Sequence, residues 1–199
     1  MAFLFDSFEG WKNHCTQQNI SVVQAVLDYE KEQKGRTEQQ IWDGLGKAWE
    51  VMKDAVQTGL TEDMTSRSGM INNGAKKVYR HPVTVLSKEF QNLISRALAA
   101  KEVNSCMGRI VAAPTAGASG IMPGVLFTLQ EIHKVDDKKI LEAMLLAAGI
   151  ALIMEQKASI SGAVGGCQAE TGTAAAMGSG AIVYCLGGDI DQIFNAVAI

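Results

Sequence analysis

The stretch Ile140-Leu-Glu-Ala-Met-Leu-Leu-Ala-Ala-Gly-Ile-Ala-Leu-Ile-Met154 would be apolar on nearly every face of a helix. A helix of this kind must be buried on all sides, because none of its faces suits water. The longest apolar run, from Ala143 to Met154, is shorter than the roughly 17 to 25 residues that a membrane-spanning helix needs. The stretch therefore predicts the buried central helix of a multi-helix bundle, and no membrane span.

The composition of the 199-residue chain agrees with an all-α fold. Hydrophobic residues make up 47% of the chain and aromatic residues only 6%, so the core must consist of aliphatic, alanine and methionine side chains. Such side chains favour packed helices, and the length suits a single domain. The net charge of -3 provides no basic surface for nucleic acid, which is therefore not expected as a partner.

Upstream of the central helix, two capping boxes predict an N-terminal α-hairpin. Ser21 opens a helix that Gly35 ends. Thr37 opens a second helix, whose apolar residues recur at intervals of three, four and seven as far as Gly59. We treat residues 1–60 as a helical subdomain within a single domain that covers residues 1–199.

The remaining helices are predicted from proline, glycine and aspartate signals. Their expected starts are Pro82, about Ala100, Val125, Asp136 or Asp137, and Asp189. The helix from Ala100 is expected to end at Ala112. The chain stops at Ile199 in the middle of an apolar pattern, which predicts a domain that is incomplete at its C-terminal end.

After the central helix, the stretch from Ser159 to Gly172 combines serines and glycines with a single cysteine. Glycines allow a positive φ and a close approach of the backbone to a bound group. The stretch leads into a helix of small residues predicted for Thr173 to Gly180, whose free N–H groups would favour a thiolate at Cys167. Cys167 is therefore a metal ligand or a nucleophile, or else a buried cysteine that packs as a small hydrophobe.

Two further loops carry hydroxyl and amide side chains. The loop from Met64 to Lys77 contains Ser68, Asn72 and Asn73, which would grip a carboxylate together with backbone N–H groups. An exposed connection is the simpler interpretation of this loop. The loop from Pro114 to Gly124 precedes a helix, as ligand-holding turns do. Its spacing is not Gly-x-Gly-x-x-Gly, so it gives little support to nucleotide binding.

Four widely spaced cysteines, without a Cys-x-x-Cys pair, predict neither a disulfide framework nor a zinc knuckle. The N-terminus lacks the basic and apolar segments of a signal peptide. We therefore expect reduced thiols and a cytoplasmic protein.

The motifs Val111-Ala-Ala-Pro-Thr-Ala-Gly-Ala-Ser-Gly-Ile-Met-Pro-Gly-Val-Leu126 and Ala158-Ser-Ile-Ser-Gly-Ala-Val-Gly-Gly-Cys-Gln-Ala-Glu-Thr-Gly172 are long and unlike common loop sequences. Together they resemble the alpha chain of the iron–sulfur L-serine dehydratases. Weaker similarity in Ile20–Val22, Thr65–Gly74 and Glu102–Gly108 extends the resemblance over nearly the whole chain. The resemblance implies a mainly helical catalytic domain that releases ammonia from L-serine without pyridoxal phosphate.

The resemblance also implies a [4Fe-4S] cluster held by three cysteines, with one iron left open. That iron would act as a Lewis acid on the serine hydroxyl while a base removes the α-proton, and the enamine product would hydrolyse to pyruvate and ammonia. Cys167 matches the first cluster cysteine. The family's other two lie in later segments around Cys-Asp-Pro and Pro-Cys, which this chain does not contain. Cys185 would approach the site only along the helix that follows Cys167.

Roles for the polar residues follow from the resemblance and from their chemistry. Glu170, one turn after Cys167, is expected to tune the cluster environment or to shuttle a proton, or else to be a first-turn carboxylate favoured by the helix dipole. Lys157 and His81 are candidate bases, although a structural or exposed histidine is the simpler interpretation of His81. The expected substrate-binding residues are Ser68, Asn72, Asn73, Thr115, Ser119, Ser159 and Ser161.

The expected partners are L-serine as the substrate and a beta chain or a second copy of this chain. One alternative is a non-catalytic helical subunit or fragment that associates with a beta chain, for which nine methionines would suit adaptable contact surfaces. Another is an acyl transferase with Cys167 as the nucleophile. That chemistry needs a base within hydrogen-bond reach, and no histidine lies near residue 167 in the sequence.

Overall fold

A computed structural model describes residues 6–81 and 84–199, so the predicted helix start at Pro82 lies outside the described residues. The described residues form α-helices and one short 3-10 turn at Ala116–Ala118, without a sheet, which confirms the all-α class. The helices are α1 (Phe8–Gln18), α2 (Val22–Lys34), α3 (Glu38–Thr61), α4 (Gly74–Arg80), α5 (Lys88–Ser105), α6 (Ile121–Ile132), α7 (Asp137–Lys157), α8 (Gly162–Cys185) and α9 (Ile190–Ala198).

Helix α7 lies at the centre of the bundle, as its sequence predicts. Ile140, Leu146 and Ile150 are completely buried, and α7 packs against α2, α3, α6 and α8. Burial of each of these side chains contributes about 1.5–3 kcal/mol to folding. Asp136 caps the helix by accepting a hydrogen bond from the N–H of Lys139 at 2.8 Å. Within the described part of the chain, no helix combines the length and the apolar character that crossing a membrane requires.

The two helices predicted for the N-terminal hairpin form, as α2 and α3, and the unpredicted α1 precedes them. Ser21 and Thr37 each accept a hydrogen bond from the N–H three residues further on, and Gly35 has the positive φ of 63° that ends α2. Val26 and Val56 are fully buried in the same hydrophobic core as α7. The division of the chain into a subdomain at residue 60 stays a prediction.

Gly59 does not end α3, which continues to Thr61. It lies where α3 packs on the backbone of α5, because a Cβ at this position would be 2.6 Å from the Cα of Ala99. Gly59→Ala should therefore lower the free energy of unfolding by about 1–3 kcal/mol. Gly44→Ala, on the same helix with nothing within 4 Å of the new Cβ, should raise it by up to about 1 kcal/mol. Urea unfolding measures both changes, and equal effects would contradict the close packing at Gly59.

Helix α5 is continuous, so the predicted break near Ala100 and the separate helix to Ala112 are wrong. Buried Ala100 and Val103 continue its apolar face through the predicted break. The helix ends where Met107 adopts a φ of 64° and the N–H of Gly108 donates to the carbonyl of Val103 at 2.8 Å.

Helix α8 starts at Gly162, earlier than the predicted start at Thr173. Ser161 caps it by accepting a hydrogen bond from the N–H of Ala163 at 3.2 Å. The alanine, glutamine and glutamate residues among the glycines are good helix formers, and the helical geometry is lost only at Gly166. At Gly166 the helix is interrupted and then continues in a new segment.

Candidate active site

Cys167 lies on the surface at the point where α8 is interrupted. Gly166 has φ 76° and ψ 176°, so Cys167 is the first residue of the longer, C-terminal segment of the helix. The Cys167 side chain is exposed, and its interpretation as a buried small hydrophobe is therefore wrong. Backbone N–H groups at the start of a helix favour negatively charged ligands. The thiol is thus accessible to a metal or to an electrophile.

Glu170 connects the two sequence motifs. It lies one turn after Cys167, and its Oε2 accepts a hydrogen bond from the hydroxyl of Thr115, 55 residues away in the sequence. Gly117 of the first motif and Gly162 of the second lie against the carboxylate. A Cβ on either glycine would be 2.8 Å from Cδ of Glu170, inside van der Waals contact. Both glycines therefore make room for Glu170 to reach Thr115.

The end of α5 holds the first motif in place. Lys101 Nζ donates a hydrogen bond to the carbonyl of Gly117 at 2.8 Å, and Asn104 Nδ2 donates to the carbonyl of Ala116 at 3.0 Å. The sequence did not predict these roles, because a side chain that binds a distant backbone carbonyl leaves no periodic pattern. The one available signal was the weak family similarity of the segment that contains Asn104.

Ser119 follows the 3-10 turn of the first motif and is only 1% exposed. No described residue forms a hydrogen bond with its hydroxyl. A buried hydroxyl without a partner costs roughly 1–3 kcal/mol. Substrate binding by Ser119 stays a prediction, and its hydroxyl does not face solvent.

Ser159 and Ser161 shape the backbone that leads into α8. Ser159 Oγ accepts a hydrogen bond from the N–H of Ser161 at 3.2 Å, and Ser161 Oγ caps the helix. Both side chains are half-buried. Each hydroxyl acts as an acceptor in these contacts, so each O–H can still donate to a ligand.

The loop between α3 and α4 is folded on itself. Asn73 Oδ1 accepts a hydrogen bond from the N–H of Met64 at 2.7 Å, and Asn73 Nδ2 donates to Asn72 Oδ1 at 3.2 Å. Ser68 is exposed, with its Oγ 3.2 Å from that of Ser66. Asn73 thus maintains the shape of the loop, whereas Ser68 and Asn72 lie on its exposed side.

The two candidate bases lie in different places. Lys157 is exposed at the end of α7, where it lines a surface cleft of about 440 Å³ together with Ser159 and Ser161. His81 follows the C-terminal end of α4, and Asn73 precedes its N-terminal end. The seven residues of α4 separate these ends by about 10 Å. Lys157 directly precedes the second motif in the sequence, whereas the structure leaves His81 away from Asn73.

The sequence profile of the serine dehydratase alpha chain matches residues 17–199. The chain belongs to this family. The L-serine dehydratase alpha chain of Peptoniphilus asaccharolyticus is 35% identical over 188 residues, which cover 93% of this chain and 64% of that protein. The probable L-serine dehydratase alpha chain of Bacillus subtilis (strain 168) is 34% identical over 186 residues, with 92% and 62% covered. The L-serine dehydratase TdcG of Escherichia coli (strain K12) is 34% identical over 193 residues, with 93% and 42% covered.

The match confirms the family that the two motifs predicted. Both motifs lie within the matched residues. The chain spans less than two thirds of the length of each of the three relatives. The activity, substrates and partners of those whole proteins are therefore only proposed for this chain.

Cys167 and Cys185 lie far apart on α8. Cys185 is eighteen residues after Cys167 on α8, and a rise of 1.5 Å per residue places it about 27 Å away, so Cys185 does not come near Cys167. Cys106 follows the end of α5, and Cys15 is buried in α1. In residues 6–81 and 84–199, no three His, Cys, Asp or Glu side chains are grouped as metal ligands. The described residues thus supply one exposed thiol, that of Cys167, and not the full cysteine set of a cluster.

Alkylation should distinguish the exposed Cys167 from the buried Cys15 and the partly buried Cys185. Burial raises the pKa of the Cys15 and Cys185 thiols to about 11. Both therefore remain protonated and unreactive at pH 8, and become reactive only as the pH approaches that value. Iodoacetamide at pH 8 should modify the exposed Cys167 at least about tenfold faster, as followed by peptide mass spectrometry. The alkylation rates of these cysteines should converge in denaturant. Equal alkylation rates in the folded protein would contradict the assignment of Cys167 as the exposed, reactive thiol.

An acyl transferase would need a base beside Cys167. The histidines lie on α1, after α4 and after α6, and the His133 ring contacts Glu89 at 2.6 Å. The hypothesis of a cysteine nucleophile therefore gains no support from the structure.

Proposed function

We propose that this serine dehydratase alpha chain is part of a cytoplasmic iron–sulfur lyase that converts L-serine to pyruvate and ammonia. The observation that carries the proposal is the exposed thiol of Cys167, one turn before the Glu170 that joins both motifs. Cysteine thiolates are the usual ligands of iron–sulfur clusters. The names of the relatives, which are L-serine dehydratases, support the reaction.

Cys167 would supply one ligand of a [4Fe-4S] cluster, and the other ligands would come from outside the described residues. When bound, the cluster would supply the Lewis acid for the departing hydroxyl. The residues of this chain would bind the substrate and transfer protons around it. Substitutions of these residues can test their roles without any assumption about the geometry of the cluster.

The reaction removes the α-proton and the β-hydroxyl of serine, which gives aminoacrylate and water. Aminoacrylate tautomerises to an imine, and a second water hydrolyses the imine to pyruvate and ammonia. Ser68 and Asn72, on the exposed side of their loop, would hold the serine carboxylate, while Asn73 keeps the loop in shape. The remaining proposed substrate contacts are Thr115, Ser119, Ser159 and Ser161.

Glu170 is the first candidate for proton transfer. Its carboxylate is half-buried, receives the hydrogen bond from Thr115 and lies one turn from Cys167. A carboxylate held in this way can accept a proton and return it without moving. Lys157, in the cleft beside Ser159, is the second candidate, and His81 is the third.

The segments that form the site also expose large apolar side chains. Met70, Met107 and Val164 are 87%, 91% and 80% exposed, and each lies on a different site segment. Where exposed apolar groups around a site form a contiguous patch, they favour a covering partner. We propose a beta chain as that partner, with a second copy of this chain as the other possibility. A non-catalytic subunit would present the same surface but would not form pyruvate.

Anaerobic reconstitution of the complete protein with iron and sulfide, with and without the beta chain, tests the proposal. L-Serine should give pyruvate and ammonia in equal amounts, and D-serine serves as the stereochemical control. A reconstituted protein that contains a cluster and binds the beta chain but forms no pyruvate would favour the non-catalytic alternative.

A further inference from the structure

Two loops of the site are held by the same turn of α5. On one side, Lys101 and Asn104 donate hydrogen bonds to the carbonyls of Gly117 and Ala116. On the other side, Glu102 contacts the start of α4, where the loop of Ser68, Asn72 and Asn73 ends. The proposed reaction assigns no role to Glu102.

Glu102 is only 5% exposed. Its Oε1 accepts a hydrogen bond from the N–H of Ala75 at 3.2 Å. A Cβ at Gly74 would be 2.8 Å from the same oxygen, so the backbone approaches the carboxylate closely. Its Oε2 is buried and has no hydrogen-bond partner among the described residues.

A buried carboxylate with one satisfied oxygen is a poor choice for stability alone. Burying a charged group costs free energy unless its partners replace the lost water, and here a single N–H does so. An apolar side chain of similar size would avoid that cost but would release the N–H of Ala75. A carboxylate at this position therefore attaches the loop to α5, which an apolar side chain cannot do.

We propose that Glu102 is a positioning residue that fixes the loop of residues 64–73 relative to the first motif. Because Lys101 and Asn104 hold the first motif from the same turn, the end of α5 sets the distance between Thr115 and the Ser68–Asn72 side of the loop. This inference rests on the proposed function, since the task given to the loop is to hold the carboxylate of L-serine.

Two substitutions at Glu102 separate positioning from simple stability. Glu102→Gln keeps an oxygen that can accept the N–H of Ala75, whereas Glu102→Leu keeps the size and removes the acceptor. In the reconstituted complete enzyme, Glu102→Leu should raise the KM for L-serine about tenfold or more, with a smaller change in kcat. Glu102→Gln should stay within about twofold of the wild-type KM.

Arg96 provides a matched control on the same helix. It is 3% exposed and binds Thr128 Oγ1 at 2.9 Å and the carboxylate of Glu131, on α6, not on the loop. Arg96→Met should lower the thermal midpoint and leave the KM unchanged. An unchanged KM in a folded Glu102→Leu enzyme, or an equal rise in KM for Arg96→Met, would overturn the positioning role.

Hydrogen–deuterium exchange tests the same inference without activity. Amides 64–75 should exchange faster in Glu102→Leu than in the wild-type protein, and at the wild-type rate in Glu102→Gln and Arg96→Met. Unchanged exchange in Glu102→Leu would refute the positioning role even if the enzyme is active. A wild-type protein that shows the expected exchange but makes no pyruvate would instead refute the proposed function and leave Glu102 as the anchor of the loop.

Discussion

Cys167→Ser should reduce both the iron content and the turnover of the reconstituted complete enzyme, with turnover below about 1% of the wild-type value. Serine has nearly the size of cysteine, but its hydroxyl is a harder and weaker iron ligand than a thiolate. Loss of a residue that merely supports a metal ligand already costs roughly 10–100-fold in affinity or activity. Removing the ligand should therefore cost more. Iron per chain and pyruvate formation from L-serine measure the two effects.

Cys185→Ser is the matched control, because Cys185 lies on the same helix about 27 Å from Cys167. It should keep wild-type iron content and turnover. Normal iron content in Cys167→Ser would show that Cys167 is not a ligand. Equal iron loss in both variants, with helix content preserved by circular dichroism, would show that iron binding does not depend on the position of the thiol.

The parts of the fold that the sequence predicts are those set by neighbouring residues. Ser21, Thr37 and Asp136 act as caps through N–H groups three residues further along the chain. The burial of α7 follows from the apolar run between Ile140 and Met154 itself. Local chemistry decides each of these features, and a sequence displays local chemistry directly.

The predictions of helix ends were wrong at positions where packing against residues distant in the sequence determines the structure. Gly59 has the sequence features of a helix end, but it lies within α3. A glycine is present there because the backbone of Ala99 occupies the space that a side chain would fill. The end of α5 was placed too early, because Ala100 and Val103 are buried by elements that the local pattern does not identify.

The candidate site also combines local features, which the sequence predicts, with long-range contacts, which it does not. Cys167 is exposed, and its role as a metal ligand stays a prediction from its motif. The contact between Glu170 and Thr115 joins residues 55 positions apart, and the attachment by Glu102 joins residues 27 positions apart. Contacts of that range leave no spacing rule, so a single sequence cannot reveal them.

Gly162→Ala should lower turnover about 10–100-fold while leaving the protein at least as stable as the wild type. The new Cβ would lie 2.8 Å from Cδ of Glu170 and would push the carboxylate away from Thr115. Because Glu170 is the far end of a flexible side chain, it can move aside at little cost in folding. Alanine is also a better helix former than glycine in the first turn of α8. The expected result is therefore a loss of activity without a loss of stability.

Gly172→Ala tests whether the effect comes from Glu170 and not from the added methyl group. Gly172 lies on the same helix with nothing within 4 Å of a new Cβ, so this variant should be stabilised to a similar degree and keep its turnover. Gly117→Ala approaches the same carboxylate from the first motif and should reproduce the loss seen with Gly162→Ala. Rates of pyruvate formation and urea unfolding of the three variants measure the two properties separately. Wild-type turnover in Gly162→Ala would mean that the contact between Glu170 and Thr115 has no part in the reaction. Proton transfer would then have to be assigned to Lys157, to His81 or to a residue outside this chain.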